Sequence, residues 1–219
     1  MKIFYIFSAR LFLSVFSNFS AEALLLMTEI LADPPAGVPA DANGDGIISA
    51  TDDELIEIFN PSLDAVDLSG WYLTDNIKTR HIFSSGFSLP GQGIVVVFGG
   101  GSPGLEINWV LASTGTLSLN NGGDTVTFFD HQNAEIDQVI YGSEGGHDQS
   151  LERFPQEKSG GFVLHSSLPG YENTTYSPGR LVAVNTGALV PEPTTVLLTG
   201  SGLLLLGLKG RRRKKNLST

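Results

Sequence analysis

Hydrophobic residues in the middle of the chain come in short runs that polar, turn-forming residues separate. Gly, Pro, Asn or Asp bounds each run. The runs cover residues 24–32, 54–60, 66–74, 81–83, 94–98, 117–119, 125–129 and 136–141. Within 54–60 the side chains alternate, which places Leu55, Glu57 and Phe59 on one face and Ile56 and Ile58 on the other. This spacing, with no helical period between the runs, predicts an all-β sandwich or barrel.

Composition supports one folded domain with many turns. The chain has 219 residues and 41% hydrophobic content, enough to bury one substantial core. Its 26 glycines and 11 prolines favour turns and short strands over long helices. Cysteine is absent, which excludes disulfides and thiolate metal sites. If the domain is exported, metal binding is the remaining way to cross-link its loops.

Charge is distributed unevenly along the chain. The formal net charge is -10, but most of the basic residues lie near the two ends, so the body between them is more acidic than the total indicates. An acidic body repels nucleic-acid phosphates and attracts cations. The sequence therefore predicts no nucleic-acid partner.

The segment 41–52 places oxygen-bearing side chains at loop positions 1, 3, 5, 9 and 12 and a glycine, Gly46, at position 6. This is the pattern of an EF-hand calcium loop, and the aspartate at position 12 resembles the dockerin variant. The predicted ligands are the side chains of Asp41, Asn43, Asp45, Ser49 and Asp52 and the backbone carbonyl of Ile47. Ile48, at position 8, is predicted to point inward and anchor the loop. Calcium is the predicted cofactor; the alternative is an acidic surface turn, because Asp, Asn and Gly also favour turns.

The first 23 residues have the features of a secretory signal peptide. The basic residues Lys2 and Arg10 precede an apolar run at 11–16. Small residues at Ala21 and Ala23 suit signal peptidase. Cleavage after Ala23 is predicted. The alternatives are an uncleaved anchor and a buried first strand.

The last part of the chain changes character after Arg180. A spacer, 181–189, leads to Pro191, Glu192 and Pro193, then to an apolar stretch at 194–208 and a basic cluster at 211–215. This order resembles the PEP-CTERM sorting signal of Gram-negative bacteria, here 190–215, which implies processing by an exosortase-type protease and a single membrane helix over 194–208. A helix over 196–208 is about 20 Å long, against a hydrocarbon core of about 30 Å, so permanent anchoring would be strained. A simple tail anchor remains the alternative.

Several runs resemble the lamin-tail domain, an immunoglobulin-like β-sandwich found in nuclear lamins and in secreted bacterial proteins. The matching segments are 28–32 (Thr-Glu-Ile-Leu-Ala), 57–60 (Glu-Ile-Phe-Asn), 66–75 (Val-Asp-Leu-Ser-Gly-Trp-Tyr-Leu-Thr-Asp), 149–153 (Gln-Ser-Leu-Glu-Arg) and 177–179 (Ser-Pro-Gly). The resemblance covers about 24–180 and places the calcium loop between the first two strands. It implies a sandwich, with Trp71 as a large core residue, and a binding or structural role.

Catalytic motifs are not evident. The histidines His81, His131, His147 and His165 lack metal-ligand spacing, and each is predicted to be a surface or turn residue. The segment 100–104 (Gly-Gly-Ser-Pro-Gly) has the Gly-x-Ser-x-Gly spacing, but no helical pattern follows it, as a nucleophile elbow requires. The alternative is a hydrolase that uses a metal in the acidic loop. A nuclear lamin-like scaffold disagrees with the export signal and with the absence of a coiled-coil rod.

Together these features predict an exported, non-enzymatic module at the cell surface or in the extracellular matrix of a Gram-negative bacterium. It would be stabilised by calcium, pass transiently through the inner membrane by residues 194–208, and be processed by an exosortase-type protease. Extracellular polysaccharide or surface proteins are the candidate binding partners.

Overall fold

A computed structural model describes residues 25–37 and 40–182. The signal segment 1–23, the sorting residues Pro191, Glu192 and Pro193, the predicted membrane helix 194–208 and the basic cluster 211–215 lie outside the described residues. Within the described part, no helix is both long and apolar enough to cross a membrane.

The described residues form twelve β-strands and two short 3-10 helices. The strands are β1 Leu26–Leu31, β2 Leu55–Phe59, β3 Val66–Asp67, β4 Tyr72–Thr74, β5 Thr79–Ile82, β6 Ser88–Leu89, β7 Ile94–Phe98, β8 Trp109–Leu111, β9 Asp124–Phe129, β10 Glu135–Tyr141, β11 Leu151–Phe154 and β12 Gly161–Leu164. The 3-10 helices are Ser143–Gly146 and His165–Ser167. The predicted all-β class is confirmed.

The strands pair into two main sheets and one small ribbon. The larger sheet has the order β12-β11-β1-β2-β7-β8, the second has the order β10-β9-β4-β5, and β3 pairs with β6. All these pairs are antiparallel except β7 with β8, which are parallel. In the larger sheet, β11 pairs with β1 and β12 forms the edge beyond it, so the last strands complete the sheet that the first strands begin.

Most of the predicted strands are observed, with two corrections. The run 66–74 contains two strands rather than one, because Leu68 to Trp71 form a tight turn: Trp71 N–H donates to Leu68 O at 2.9 Å, and Gly70 takes a φ of +76°. The run 117–119 is not a strand. Leu117 and Leu119 are buried, but Ser118 between them has a φ of +48°, and Leu119 N–H donates to the Glu54 carboxylate at 3.0 Å.

The main core lies between the two large sheets. Ile56, Ile58, Val95 and Val97 from the larger sheet share one buried cluster with Leu73, Val126, Phe128 and Val139 from the smaller one. Trp71 packs against Phe128 with ring centroids 5.4 Å apart, but it is only half-buried. Trp71 therefore packs against the core as predicted, but from its edge, and Phe83, Phe98 and Phe128 are the largest fully buried side chains.

The outer face of the larger sheet is buried as well. A second cluster on this face contains Leu31, Leu55, Val96 and Phe98, together with Ala42 from the predicted calcium loop. Leu105, Ile107 and Tyr176 pack against it from two other loops. Consequently every residue of β1 and β2 is buried, and the segment 41–52 belongs to a layer that covers the sheet.

Candidate functional site

The first half of the predicted calcium loop curls around its own carboxylates. The two carboxylate oxygens of Asp41 accept hydrogen bonds from Asp45 N–H at 3.1 Å and from Gly46 N–H at 2.7 Å. Asn43 Oδ1 also accepts from Asp45 N–H at 3.0 Å, and Asp45 Oδ1 accepts from Ile47 N–H at 2.8 Å. Gly46 has a φ of +87°, which only glycine adopts without strain, so the curl requires glycine at position 6.

The loop is closed by a residue that the sequence did not single out. Asp53, at position 13, is fully buried and bridges the two halves of the loop. Its Oδ1 accepts from Asn43 N–H at 3.0 Å, and its Oδ2 accepts from Ser49 N–H at 2.8 Å. Ser49 Oγ in turn accepts from Asp52 N–H at 3.0 Å, and Asp53 N–H donates to Ser49 O at 3.2 Å. Ser49 therefore caps a single helical turn that positions Asp53.

A turn of three glycines, Gly99 to Gly101, lies against the loop. A Cβ added at Gly99 would come within 1.9 Å of Thr51 O, and one added at Gly100 within 2.4 Å of Asp52 Oδ1. A Cβ at Gly101 would lie 2.5 Å from both Asn43 Nδ2 and Asp45 Oδ2. The glycines are thus required by the close approach of the two segments. They also bring the predicted ligands at positions 3, 5 and 12 to the same turn.

The loop is anchored by a different residue from the one predicted. Ile48 is 49% exposed, so the prediction that it points inward is wrong. The side chain of the neighbouring Ile47 is 66% exposed and does not anchor the loop either. Only the backbone carbonyl of Ile47 can therefore contribute to the predicted site. Ala42 is buried in the outer cluster and fastens the loop to the sheet. A small residue suffices because the loop backbone itself lies close to the sheet.

Electrostatics within the loop differ between the exposed and the buried carboxylates. The hydrogen bond from Ser102 N–H, with a second from Ile47 N–H, lowers the pKa of Asp45 and keeps it ionised. Burial raises the pKa of Asp53, and the charges of Asp41 and Asp45 add to that rise. Asp41 and Asp53 also raise the pKa of Tyr176 beside the loop, after the larger effect of burial. Burial, with the charges of Asp41 and Asp45, therefore opposes the ionisation of Asp53.

The donors that the loop presents are those that calcium prefers. Calcium takes about six to eight hard oxygen ligands from carboxylates, amides, backbone carbonyls and water. The side chains of Asp41, Asn43, Asp45 and Asp52 and the carbonyl of Ile47 are of these kinds. Ser49 differs, because its hydroxyl accepts hydrogen bonds from the turn that follows and would contribute to a metal through water. The residues present thus fit calcium in chemical type, but no three of the loop's acidic side chains place ligand atoms within 4.8 Å of one another.

The four histidines are not equivalent. His131 and His147 are exposed, as predicted for surface residues. His81 and His165 are buried, at 4% and 0% exposure. The prediction that each is a surface or turn residue is therefore wrong about their exposure. Burial lowers the pKa of His81 to about 4 and keeps the ring neutral.

Comparison with known proteins gives one family. The family model described as Lamin Tail Domain matches residues 19–143. No curated protein matches the chain. The matched residues include β1 to β10 and the predicted calcium loop, whereas β11 and β12 follow them.

Proposed function

The chain belongs to the lamin tail domain family, a family of non-catalytic immunoglobulin-like modules, and from that premise we propose that it is an exported structural or binding module stabilised by calcium. The observation that carries the calcium part is the loop 41–53. Its carboxylates hold the backbone in a curl, and burial together with the charges of Asp41 and Asp45 opposes the ionisation of Asp53. A bound divalent cation would remove that repulsion.

The loop acts as a brace in this proposal rather than as a binding surface for a partner. Ala42 packs on the outer face of the larger sheet, and Asp45 accepts from Ser102 N–H at 2.9 Å. A cation held by Asp41, Asn43, Asp45 and Asp52 would fix this contact between the loop and the glycine turn. Millimolar calcium outside the cell matches the affinity of about 10⁻⁴ to 10⁻³ M that extracellular calcium modules show.

Calcium is expected to raise the melting temperature of the purified full chain by a few degrees. At 10 to 100 times the dissociation constant, ligand binding stabilises a folded protein by about 1.4–2.7 kcal/mol, or roughly 3–11 °C for a domain of this size. The Asp45→Ala variant should lose this shift, because it removes a charged ligand at position 5. Differential scanning calorimetry in chelator and in calcium measures both effects.

The matched control is Asp64→Ala, which removes the same charge from an exposed turn outside the loop. This variant should keep the full calcium shift. An equal shift in wild type, Asp45→Ala and Asp64→Ala would show that calcium acts elsewhere on the chain, and the brace would then be wrong.

Export and sorting form the second part of the proposal. The signal segment 1–23 and the PEP-CTERM-like end 190–215 support a route through the inner membrane to the cell surface or matrix of a Gram-negative bacterium. An exosortase-type protease would cut near Pro191, Glu192 and Pro193. Extracellular polysaccharide or surface proteins are the proposed partners of the mature module.

Mass spectrometry of the protein isolated from its native cells tests this route. The expected mature chain begins after Ala23 and lacks the basic cluster 211–215. A chain that retains the basic cluster would contradict processing and favour the simple tail anchor. A chain that retains residues 1–23 would contradict removal of the signal segment.

A further inference from the structure

Three glutamates form a row on the outer face of the larger sheet. Glu29 on β1 is directly opposite Glu152 on β11 and also opposite Glu57 on β2. Residues that face each other across antiparallel strands have Cβ atoms about 4.5–5.5 Å apart on the same face of the sheet. All three side chains are at most 1% exposed. Like charges directly opposite one another are destabilising, and burial increases that cost.

The segment 165–180, here called the closing segment, covers the row and donates to it. Ser177 N–H donates to Glu29 Oε1 at 2.9 Å, and Gly179 N–H donates to Glu57 Oε2 at 2.7 Å. His165 begins the segment and places Nδ1 2.8 Å from Glu152 Oε1. Each glutamate is therefore held by the closing segment, and the row is shut off from solvent.

The carboxylate oxygens of the three glutamates differ in the hydrogen bonds that they accept. Glu57 has both oxygens bonded, since Oε1 accepts from Thr28 Oγ1 at 2.6 Å and Oε2 accepts from Gly179 N–H. Glu29 Oε2, in contrast, is buried and makes no hydrogen bond within 3.5 Å, and the nearby Ser150 hydroxyl is likewise buried and unpaired. Leaving a buried carboxylate oxygen unpaired costs free energy, which a proton, a hydroxyl donor or a cation would relieve.

The cluster formed by Glu29, Glu152 and His165 has the spacing of a cation site. One ligand atom from each of Glu29, Glu152 and His165 lies within 4.8 Å of the others, and all three residues are buried. Among the described residues, no other group of three or more acidic, cysteine or histidine side chains reaches this spacing. Two carboxylates with one imidazole form a mixed oxygen and nitrogen set, which favours a transition ion such as Zn²⁺ over calcium.

We propose that Glu29, Glu152 and His165 form a buried divalent transition-metal site, closed by the segment 165–180. The site is separate from the calcium loop in its ligands and in its preferred metal. Because solvent does not reach it, the bound ion has a structural role: it fastens the closing segment to β1 and β11. Burial and the neighbouring carboxylates raise the pKa of both Glu29 and Glu152, so protons are the competing occupants.

The test is to refold the full chain in Zn²⁺ with calcium present, remove free metal, and measure bound zinc by mass spectrometry. Wild type should retain about one zinc per chain and melt at a higher temperature than protein refolded in chelator. Glu29→Gln keeps the shape of the side chain but removes the charge at the unpaired oxygen. It should lower zinc affinity at least about tenfold, a loss that changes to residues around metal sites commonly cause.

Glu57→Gln is the matched control, since it lies in the same row with both oxygens already bonded. It should retain zinc, as should Asp45→Ala in the calcium loop. His165→Gln should lose zinc as Glu29→Gln does. Wild type without bound zinc, or equal zinc in Glu29→Gln and Glu57→Gln, would overturn the site and leave protons as the occupants of the row. The calcium proposal is tested by the calcium-dependent shift in melting temperature and the zinc proposal by the amount of bound zinc. Either proposal can therefore fail without the other.

Discussion

Replacing Asp53 by alanine is expected to destabilise the protein by about 1–3 kcal/mol, whether or not calcium is bound. The Asp53 carboxylate accepts from Asn43 N–H and Ser49 N–H, and the variant leaves both donors without this partner. An unsatisfied buried donor costs about 1–3 kcal/mol; Asn43 is fully buried, and Ser49 is half-exposed and can recover water. Urea denaturation in chelator and in calcium measures the loss.

Asp52→Ala is the matched control variant, because it removes the same carboxylate group from the adjacent residue. As a ligand at position 12, Asp52 should affect the calcium-dependent part of the stability and leave the stability in chelator nearly unchanged. The opposite outcome is informative. If Asp53→Ala is neutral in chelator and abolishes the calcium shift, Asp53 is the closing ligand and the assignment of Asp52 is wrong.

The strands formed by apolar runs could be predicted from the sequence, and those with short polar sequences could not. The run 94–98 matches β7 because apolar, β-branched residues fill it. β11, with the sequence Leu-Glu-Arg-Phe, carries two charged side chains that are buried only because of their tertiary partners. The run 117–119 shows the reverse case, in which apolar residues are buried in an irregular segment and a side chain satisfies the backbone.

The two candidate sites, the calcium loop and the glutamate row, also differ in how far the sequence predicts them. The calcium pattern is local, so twelve consecutive residues predict both its donors and the glycine at position 6. The part played by Asp53 depends on how the loop returns to the sheet, and the burial of Ala42 depends on the layer beneath it. The glutamate row is invisible in the sequence, since only the register of β11, β1 and β2 makes Glu152, Glu29 and Glu57 neighbours.

A buried ion pair joins the two sheets of the sandwich. Arg153 on β11 donates from its guanidinium to Asp137 on β10 at 2.6 Å, and both side chains are at most 4% exposed. Arg153 also donates to Met27 O at 2.7 Å and to Gly160 O at 3.1 Å, while Met27 N–H donates to Asp137 at 2.8 Å. The pair thus ties β10 of the smaller sheet to β1 and β11 of the larger one.

Arg153→Met is therefore expected to cost about 3–5 kcal/mol, the usual loss when one partner of a buried ion pair is removed and the other charge remains. Lys158→Met is the control: Lys158 contacts the same Asp137 carboxylate at 3.1 Å but is 44% exposed, so its removal should cost at most about 1 kcal/mol. Chemical denaturation compares the two variants. Because Arg153 follows the matched residues 19–143, a large loss in a single cooperative transition would show that β11 folds with the rest of the sandwich. Equal small losses in both variants would mean that the two sheets hold together without this pair.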